Sequence, residues 1–470
     1  MSKNKPSSRR KFIKNITAGS LVAGVTPSLI AGSKNKIELI KPDPSFYEMP
    51  ERTANDKIRL GVVGVGIIGF YNIEAALNIQ GMELVAACDL YEPRLQKVKQ
   101  RWGSHIYTTR DYKELINRND VDAVLVATSD NWHDTITIDA LNAGKAVYCE
   151  KPMVHKIEQG AAVIQTAEKT KKVLQIGSNP MSDILVNKAK ELYAQGAIGQ
   201  LILVNAVSDR HSSLGAWNYS MPNTINEKDL DWDTFQKDSP KKPFDPKRFF
   251  RWRNYQDYGT SMAGDLFVHL YTQLHHIISS KGPERIFASG GLRYWKDGRD
   301  VPDLMVSIAD YPETETHAAF QFNVRSNFVA GGEQESGLTL VGSEGSMKLT
   351  GRRLILNKTP LPDAPGYGGY DSLFTFPKEM EEEFIEAYKA KYYSAKRSVI
   401  SEPVEYRTPE GYSNRLDHWV NFVKGIREGA KIAQDGTYGL RAAAPSLAAN
   451  LSYFGKKIVQ WDPVKLKLKG

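Results

Sequence analysis

The feature that most constrains this chain is a glycine triplet in a fixed setting. An apolar run, Ile58–Val63, leads directly into Gly64-Val65-Gly66-Ile67-Ile68-Gly69, and a helical pattern continues to about Gln80. A second apolar run, Glu83–Cys88, follows, and the next residue is Asp89. Strand, triplet, helix, strand and acid in this order have a definite mechanical meaning. The first glycine makes a tight turn. The second lets backbone N–H groups approach a diphosphate at a helix N-terminus, where the unsatisfied amides and the helix dipole favour an anion. The third allows close helix–strand contact, and the carboxylate is placed to hold ribose hydroxyls. The pattern therefore predicts a nicotinamide dinucleotide on this elbow, with Gly64, Gly66, Ile67, Ile68, Gly69 and Asp89 as binding residues. Asp89 favours NAD by repelling a 2′-phosphate, while Arg94 stands near enough to leave NADP open.

Beyond the triplet, the rhythm of strand and helix continues. Strand-like runs at Val121–Ala127, Ala146–Cys149 and Val173–Ile176 alternate with helical patterns, which predicts a doubly wound parallel sheet over 57–177. After Gly177 that rhythm stops. A helix over Ile184–Gln195 and a strand over Leu201–Val207 precede a long aromatic and proline-bearing stretch, Arg210 to Tyr258. A helix from about Ala263 to Ser279 and strands at Asp303–Ala309, His317–Val324 and Gly337–Leu349 follow. Runs of strands with few helices predict an α+β half, 178–410, built on a large open antiparallel sheet. Helices around Tyr412–Glu428 and Tyr438–Phe454 place 411–470 as a C-terminal layer packing back on the core. Residues 34–56, with Pro42, Pro44 and Pro50, read as a linker or surface arm. The fold class expected is thus an α/β Rossmann domain plus an α+β domain.

The formal charge of +8 resembles a nucleic-acid signal until its location is noted. Lys3, Lys5, Arg9, Arg10, Lys11 and Lys14 supply six positive charges within residues 1–33, a segment without acids. The rest of the chain carries only +2, too little to argue for a polyanionic partner. Arg9-Arg10 followed by a mildly apolar, Gly-containing stretch to Gly32 reads as a twin-arginine export address, which predicts a periplasmic protein without stable membrane insertion. Such export moves proteins already folded around a cofactor. The two cysteines, Cys88 and Cys149, fall at the ends of strands that should lie on opposite sides of the first strand, so free buried thiols are expected rather than a disulfide.

Further segments make the chain resemble a known family. Ala127-Thr128-Ser129-Asp130-Asn131-Trp132-His133 follows the fourth strand, Glu150-Lys151-Pro152 follows the fifth, and Asp265-Leu266-Phe267-Val268-His269 comes later. With the glycine elbow these resemble the glucose–fructose oxidoreductase/inositol dehydrogenase/MocA (Gfo/Idh/MocA) family across roughly residues 57–460. The stretch from Gly290 to Asp300, Gly-Gly-Leu-Arg-Tyr-Trp-Lys-Asp-Gly-Arg-Asp, looks like an exported bacterial subgroup. The resemblance implies cofactor contacts by Thr128, Asn131, His133, Glu150 and Lys151. It also implies a sugar or glycoside as substrate, and a homodimer or homotetramer formed through the second domain.

Position alone already marks Lys151, because ligands in such folds bind beyond the carboxyl ends of the strands. Its ammonium can donate to a substrate hydroxyl. Asp265 and His269 stand four apart on an expected helix and so share a face. Histidine can take a hydroxyl proton as hydride leaves carbon, and aspartate can orient its neighbours. Lys151, Asp265 and His269 are therefore the expected catalytic set. His275 and His276 share that helix without metal-ligand spacing and are assigned to packing; no metal site is expected. In the aromatic stretch, Arg251, Trp252, Arg253 and Tyr258 are candidates for a sugar pocket, beside Trp217, Tyr219 and Arg248. Aromatic faces cover a sugar's C–H face and guanidinium forks bind hydroxyls or an acid group. Thr260-Ser261 replaces the extra glycine usual in the family, which leaves pocket shape and substrate identity open.

Export adds a physical demand. No free nicotinamide pool exists outside the cytoplasm, so the cofactor must stay bound and return to its starting redox state each turnover. Three outcomes meet or evade that demand. An NAD(P)-dependent sugar oxidoreductase is the expected function. A redox-neutral glycoside hydrolase working by oxidation, elimination, addition and reduction is the alternative. A sugar-sensing binding protein without catalysis is the third, against which the joint presence of Lys151, Asp265 and His269 argues.

Overall fold

The computed structural model describes residues 36–48, 57–332, 334–362, 364–393 and 401–469. The twin-arginine segment lies outside them. Among the described residues the first element is a short strand, β1 (Lys36–Leu39), followed by six strands that form one parallel sheet. These are β2 (Ile58–Val63), β3 (Met82–Cys88), β4 (Tyr107–Thr109), β5 (Ala123–Val126), β6 (Ala146–Glu150) and β7 (Leu174–Gly177). Their order, β4-β3-β2-β5-β6-β7, reverses between β2 and β5, and all neighbouring pairs are parallel. Strands buried on both faces need continuous apolar sequence. β5 reads Ala-Val-Leu-Val and is wholly buried. Cys88 and Cys149 lie on opposite sides of β2 and are both free and buried.

Among the described residues the second sheet has eleven strands. After β8 (Leu201–Ser208) come β9 (Arg285–Gly291), β10 (Leu304–Tyr311), β11 (Phe320–Asn327), β12 (Ser336–Gly342), β13 (Gly345–Thr350), β14 (Arg353–Lys358), β15 (Val404–Arg407), β16 (Val459–Asp462) and β17 (Lys467–Lys469). They are ordered β1-β15-β14-β13-β12-β8-β11-β10-β9-β16-β17. Alternation is clean along β10, where Met305, Ser307 and Ala309 are buried while Val306 and Ile308 are exposed. One face therefore packs on helices and the other is open.

The large sheet is antiparallel in most of its pairings, with β8 parallel to β11 and β1 parallel to β15. Three expectations change here. The Gly337–Leu349 segment is two strands, since a two-residue turn at Ser343–Glu344 reverses the chain between β12 and β13. Within the 34–56 arm, Lys36–Leu39 is an edge strand of the large sheet. The C-terminal layer ends not in helix but in β16 and β17, which extend that sheet beyond β9. The two C-terminal helices are Asn414–Glu428 and Gly436–Gly455. The former packs Trp419 flat on Tyr148 at 4.2 Å, tying it to β6 of the parallel sheet.

Candidate functional site

The glycine elbow is built as its sequence requires. Gly64 has φ +90, and a Cβ there would lie 2.6 Å from the Ala127 backbone. A Cβ on Gly69 would lie 2.2 Å from the Gly64 carbonyl oxygen, so the helix Ile67–Leu77 can approach β2 only because residue 69 has no side chain. Gly66 differs, since a Cβ would meet only the Arg94 guanidinium, at 3.7 Å. It is also the helix N-cap and supplies no side-chain hydrogen bond. The first-turn amides therefore face an open space that suits an anion. Asp89 ends β3 and turns its carboxylate onto the elbow, accepting from the Val65 N–H at 2.9 Å and the Tyr91 N–H at 3.0 Å. Arg94 stands 3.5 Å from the same carboxylate.

A crevice of about 520 Å³ opens on this elbow. Gly64, Gly66, Ile67, Ile68, Asp89, Arg94 and Thr128 line it, as do Trp252 and Arg253 from the second half. These donors fit a dinucleotide: free amides for a diphosphate, a carboxylate for ribose hydroxyls, and Arg94 beside both.

Arg253 connects the crevice to the expected catalytic set. Arg253 donates through Nε to Asp265 Oδ1 at 3.2 Å. Lys151 Nζ donates to the same oxygen at 2.9 Å and to the Asp265 carbonyl at 2.8 Å. Lys151 sits immediately after β6, at the carboxyl end of a central strand. Asp265 lies in a π-helical turn, Ala263–Phe267, that runs into the helix Val268–Ile278. Such wide turns occur mainly at functional sites. Ser261, just before it, is buried with a left-handed φ of +59, a strained backbone consistent with a site that has been held in place.

The electrostatics follow from this packing. Burial alone would push the Asp265 carboxyl up, but Lys151 and then Arg253 pull it well below the usual carboxylate range. It is an anion at any working pH. Burial lowers His269 to about 3, and the Lys151 charge adds to the effect while Asp265 opposes it. His269 is therefore neutral, and among the described residues its Nδ1 has no hydrogen-bond partner. Lys151, Asp265 and His269 are brought together, as their sequence pattern implied.

Other candidates are placed elsewhere. His133 is buried, with Nδ1 2.7 Å from the Pro152 carbonyl and Nε2 3.3 Å from that of Thr128, so it holds the ends of two strands rather than facing the crevice. Glu150 accepts from Asn72 Nδ2 at 2.8 Å behind the strand end, and burial raises its carboxyl. Asn131 is buried, its side-chain oxygen taken by Ser129 Oγ at 2.7 Å. Arg251 is turned away, onto the Tyr219 carbonyl at 3.0 Å and Asn218 at 3.1 Å. Tyr258 is a correction. It is fully buried against Phe235 and Trp232, because the aromatic cluster that borders the crevice outcompetes the pocket for its ring. His275 and His276 bond Tyr311 and Asn187, as packing residues do. Tyr219, a candidate from the aromatic stretch, lines the crevice, and so do Phe249 and Phe250, which sequence reading missed because their segment carries no motif. Among the described residues, no group of three His, Cys, Asp or Glu is arranged to hold a metal, and no helix is long and apolar enough to cross a membrane.

Comparison with known proteins agrees with this geometry. Residues 58–178 match the Gfo/Idh/MocA family, described as an oxidoreductase family with an NAD-binding Rossmann fold. An alpha-N-acetylgalactosaminidase of Shewanella oneidensis is 32% identical over 211 residues, covering 41% of this chain and 44% of that one. A glycosyl hydrolase family 109 protein of Shewanella baltica is 32% identical over 219 residues, with the same coverage of 41% and 44%. The chain thus spans less than half the length of these relatives. Among solved structures, a levoglucosan dehydrogenase in complex with NADH and levoglucosan superposes with a TM-score of 0.59 at 17% identity, covering 86% of this chain and 99% of that one. The aldose-aldose oxidoreductase of Caulobacter crescentus gives a TM-score of 0.58 at 16% identity, covering 86% and 99%. At these identities the structures speak for the fold alone, whereas the sequence match speaks for the nucleotide domain. Over residues 58–178, the chain matches the NAD-binding Rossmann domain of the Gfo/Idh/MocA oxidoreductase family.

Proposed function

We propose that this protein transfers hydride between a bound nicotinamide dinucleotide and a carbon-bound hydroxyl of a sugar or glycoside. The observation that carries the reading is the Lys151–Asp265 pair at 2.9 Å, joined by Arg253 to the crevice that opens on the glycine elbow. When bound, the nicotinamide accepts and returns a hydride; the residues do the rest. Lys151 donates a hydrogen bond to the reacting oxygen, Asp265 fixes the lysine, and neutral His269 accepts the hydroxyl proton. Tyr219 and Trp252 offer aromatic surface to the sugar's C–H face.

A second reading is favoured by the named activity of the Shewanella relatives. In it the same residues run a closed cycle: oxidation at one carbon, loss of the acidified neighbouring proton with the glycosidic group, addition of water, and return of the hydride. The basic, Arg9-Arg10-bearing segment supports export to the periplasm, and export supports a cofactor that is regenerated without release. A homodimer or homotetramer belongs to the same proposal, supported by the open outer face of the large sheet with Phe287, Val306 and Ile308 exposed on it.

The test is a chromogenic glycoside given to purified full-length protein with no added cofactor. Sustained release of the aglycone favours the closed cycle, and accumulation of a keto-sugar with reduced nicotinamide favours net oxidation. Neither product, from protein shown to contain the dinucleotide, overturns both readings.

A further inference from the structure

Residues 226–250 cross from the second half of the chain onto the nucleotide domain and roof the crevice. Asp231 donates its N–H to the Leu90 carbonyl at 2.9 Å, and Leu230 makes an antiparallel bridge with Tyr91. Trp132 donates through Nε1 to the Phe235 carbonyl at 3.3 Å, and Arg110 donates to that of Lys228 at 3.2 Å. Lys237 closes the far end, with Nζ 2.7 Å from the Asn131 carbonyl and 3.2 Å from Asp134 Oδ1. These attachments fall on residues that follow β3, β4 and β5 at the carboxyl edge of the parallel sheet. Five residues of the segment, Asp231, Thr234, Phe235, Phe249 and Phe250, line the crevice.

The roof also touches the floor. The Arg94 guanidinium lies 5.1 Å from the Phe249 ring centre and 5.3 Å from that of Phe250, while staying within 3.5 Å of Asp89 and facing Gly66. One cation thus spans the ribose carboxylate, the diphosphate cradle and the aromatic roof. A cation over an aromatic face is stronger where water is excluded.

We infer that this segment is a strap that holds the dinucleotide as a resident group, with Phe249 and Phe250 walling the adenosine end and Lys237 as its fastening. The inference rests on the proposed dinucleotide reading of the crevice. A fastening and a wall have different kinetic signatures. Loosening a strap opens the way both in and out, so capture and release rise together. Removing a wall contact weakens the bound state, so release alone rises.

The experiment uses the full chain stripped of its cofactor, with NADH as probe, and measures capture and release by stopped-flow nicotinamide fluorescence. Lys237→Met is expected to raise both rates about tenfold, the worth of one hydrogen bond to a charged group. Phe250→Ala is expected to raise release by a similar factor and leave capture unchanged. Hydrogen exchange of wild-type residues 226–250 provides a readout that needs no variant: NADH should slow it. If NADH binds but Lys237→Met changes neither rate and strap exchange is indifferent to NADH, the strap is overturned while the dinucleotide reading stands. If NADH does not bind at all, both fall.

Discussion

Asp265 carries two cations on one carboxylate, Lys151 at 2.9 Å and Arg253 at 3.2 Å, in a nearly closed environment. That arrangement makes the three residues unequal under mutation. Lys151→Met removes the proposed donor to the reacting oxygen but leaves Asp265 paired with Arg253. Turnover should fall by about 10²- to 10⁴-fold, the usual worth of a positioned proton-handling group, with NADH affinity little changed; retained turnover would move the chemistry elsewhere. Asp265→Asn instead strands two buried cations. It should cost stability as well as rate, about 3–5 kcal/mol, as for a buried pair with one partner deleted. Thermal denaturation distinguishes the two, because Lys151→Met should melt near wild type and Asp265→Asn well below it.

At the scale of elements, the fold was legible wherever local chemistry and tertiary role coincide. The β2–elbow–helix unit reads directly, because Gly64 and Gly69 stand where a Cβ would strike backbone at 2.6 and 2.2 Å. The apolar runs of the parallel sheet read equally well. What did not read was determined by distant partners. Nothing in Lys36–Leu39 announces pairing with Val404–Arg407, and β16 is a strand because β9 offers it an edge. The π-turn at Asp265 has the same four-residue spacing as an ordinary helix, and Tyr258 looked like a sugar-binding ring until its aromatic neighbours claimed it. The Gly290–Asp300 stretch carries a recognisable pattern whose reason appears only in three dimensions. The carboxylate of Asp303, buried beside it, accepts the backbone N–H groups of Arg293, Tyr294 and Trp295 at 2.7, 2.7 and 2.8 Å. Asp303→Ala should orphan these donors and destabilise the protein by about 3 kcal/mol, since each bond involves a charged acceptor. Calorimetry on the variant checks this, and an unchanged melting temperature would show that the loop is held by other means.

For the molecule as a whole, buried histidines at separate packing joints are held in one protonation state by burial, and this gives the protein a characteristic response to acid. His418 lies on the C-terminal helix and reaches the parallel sheet. Its Nε2 is 2.9 Å from the Ile176 carbonyl and its Nδ1 2.8 Å from Ser182 Oγ, which suits a neutral ring with the proton on Nε2. Burial lowers it to about 4 from an ordinary 6.5. His275, between the central helix and Tyr311 of β10, is lowered to about 3, again chiefly by burial. Both folded values are depressed, so the unfolded chain binds protons that the folded chain refuses. Stability from these groups is complete above pH 6.5 and drains as pH falls toward 4, at about 1.4 kcal/mol per pH unit for each histidine. Because the two rings sit at different joints, acid should loosen the C-terminal layer and the helix-on-sheet packing together. Urea denaturation between pH 7.5 and 4.5 should show this as a steep loss, and His418→Gln should flatten the slope by roughly one histidine's share. A denaturation midpoint independent of pH across that window, in the wild type, would mean that neither ring is held neutral by its burial.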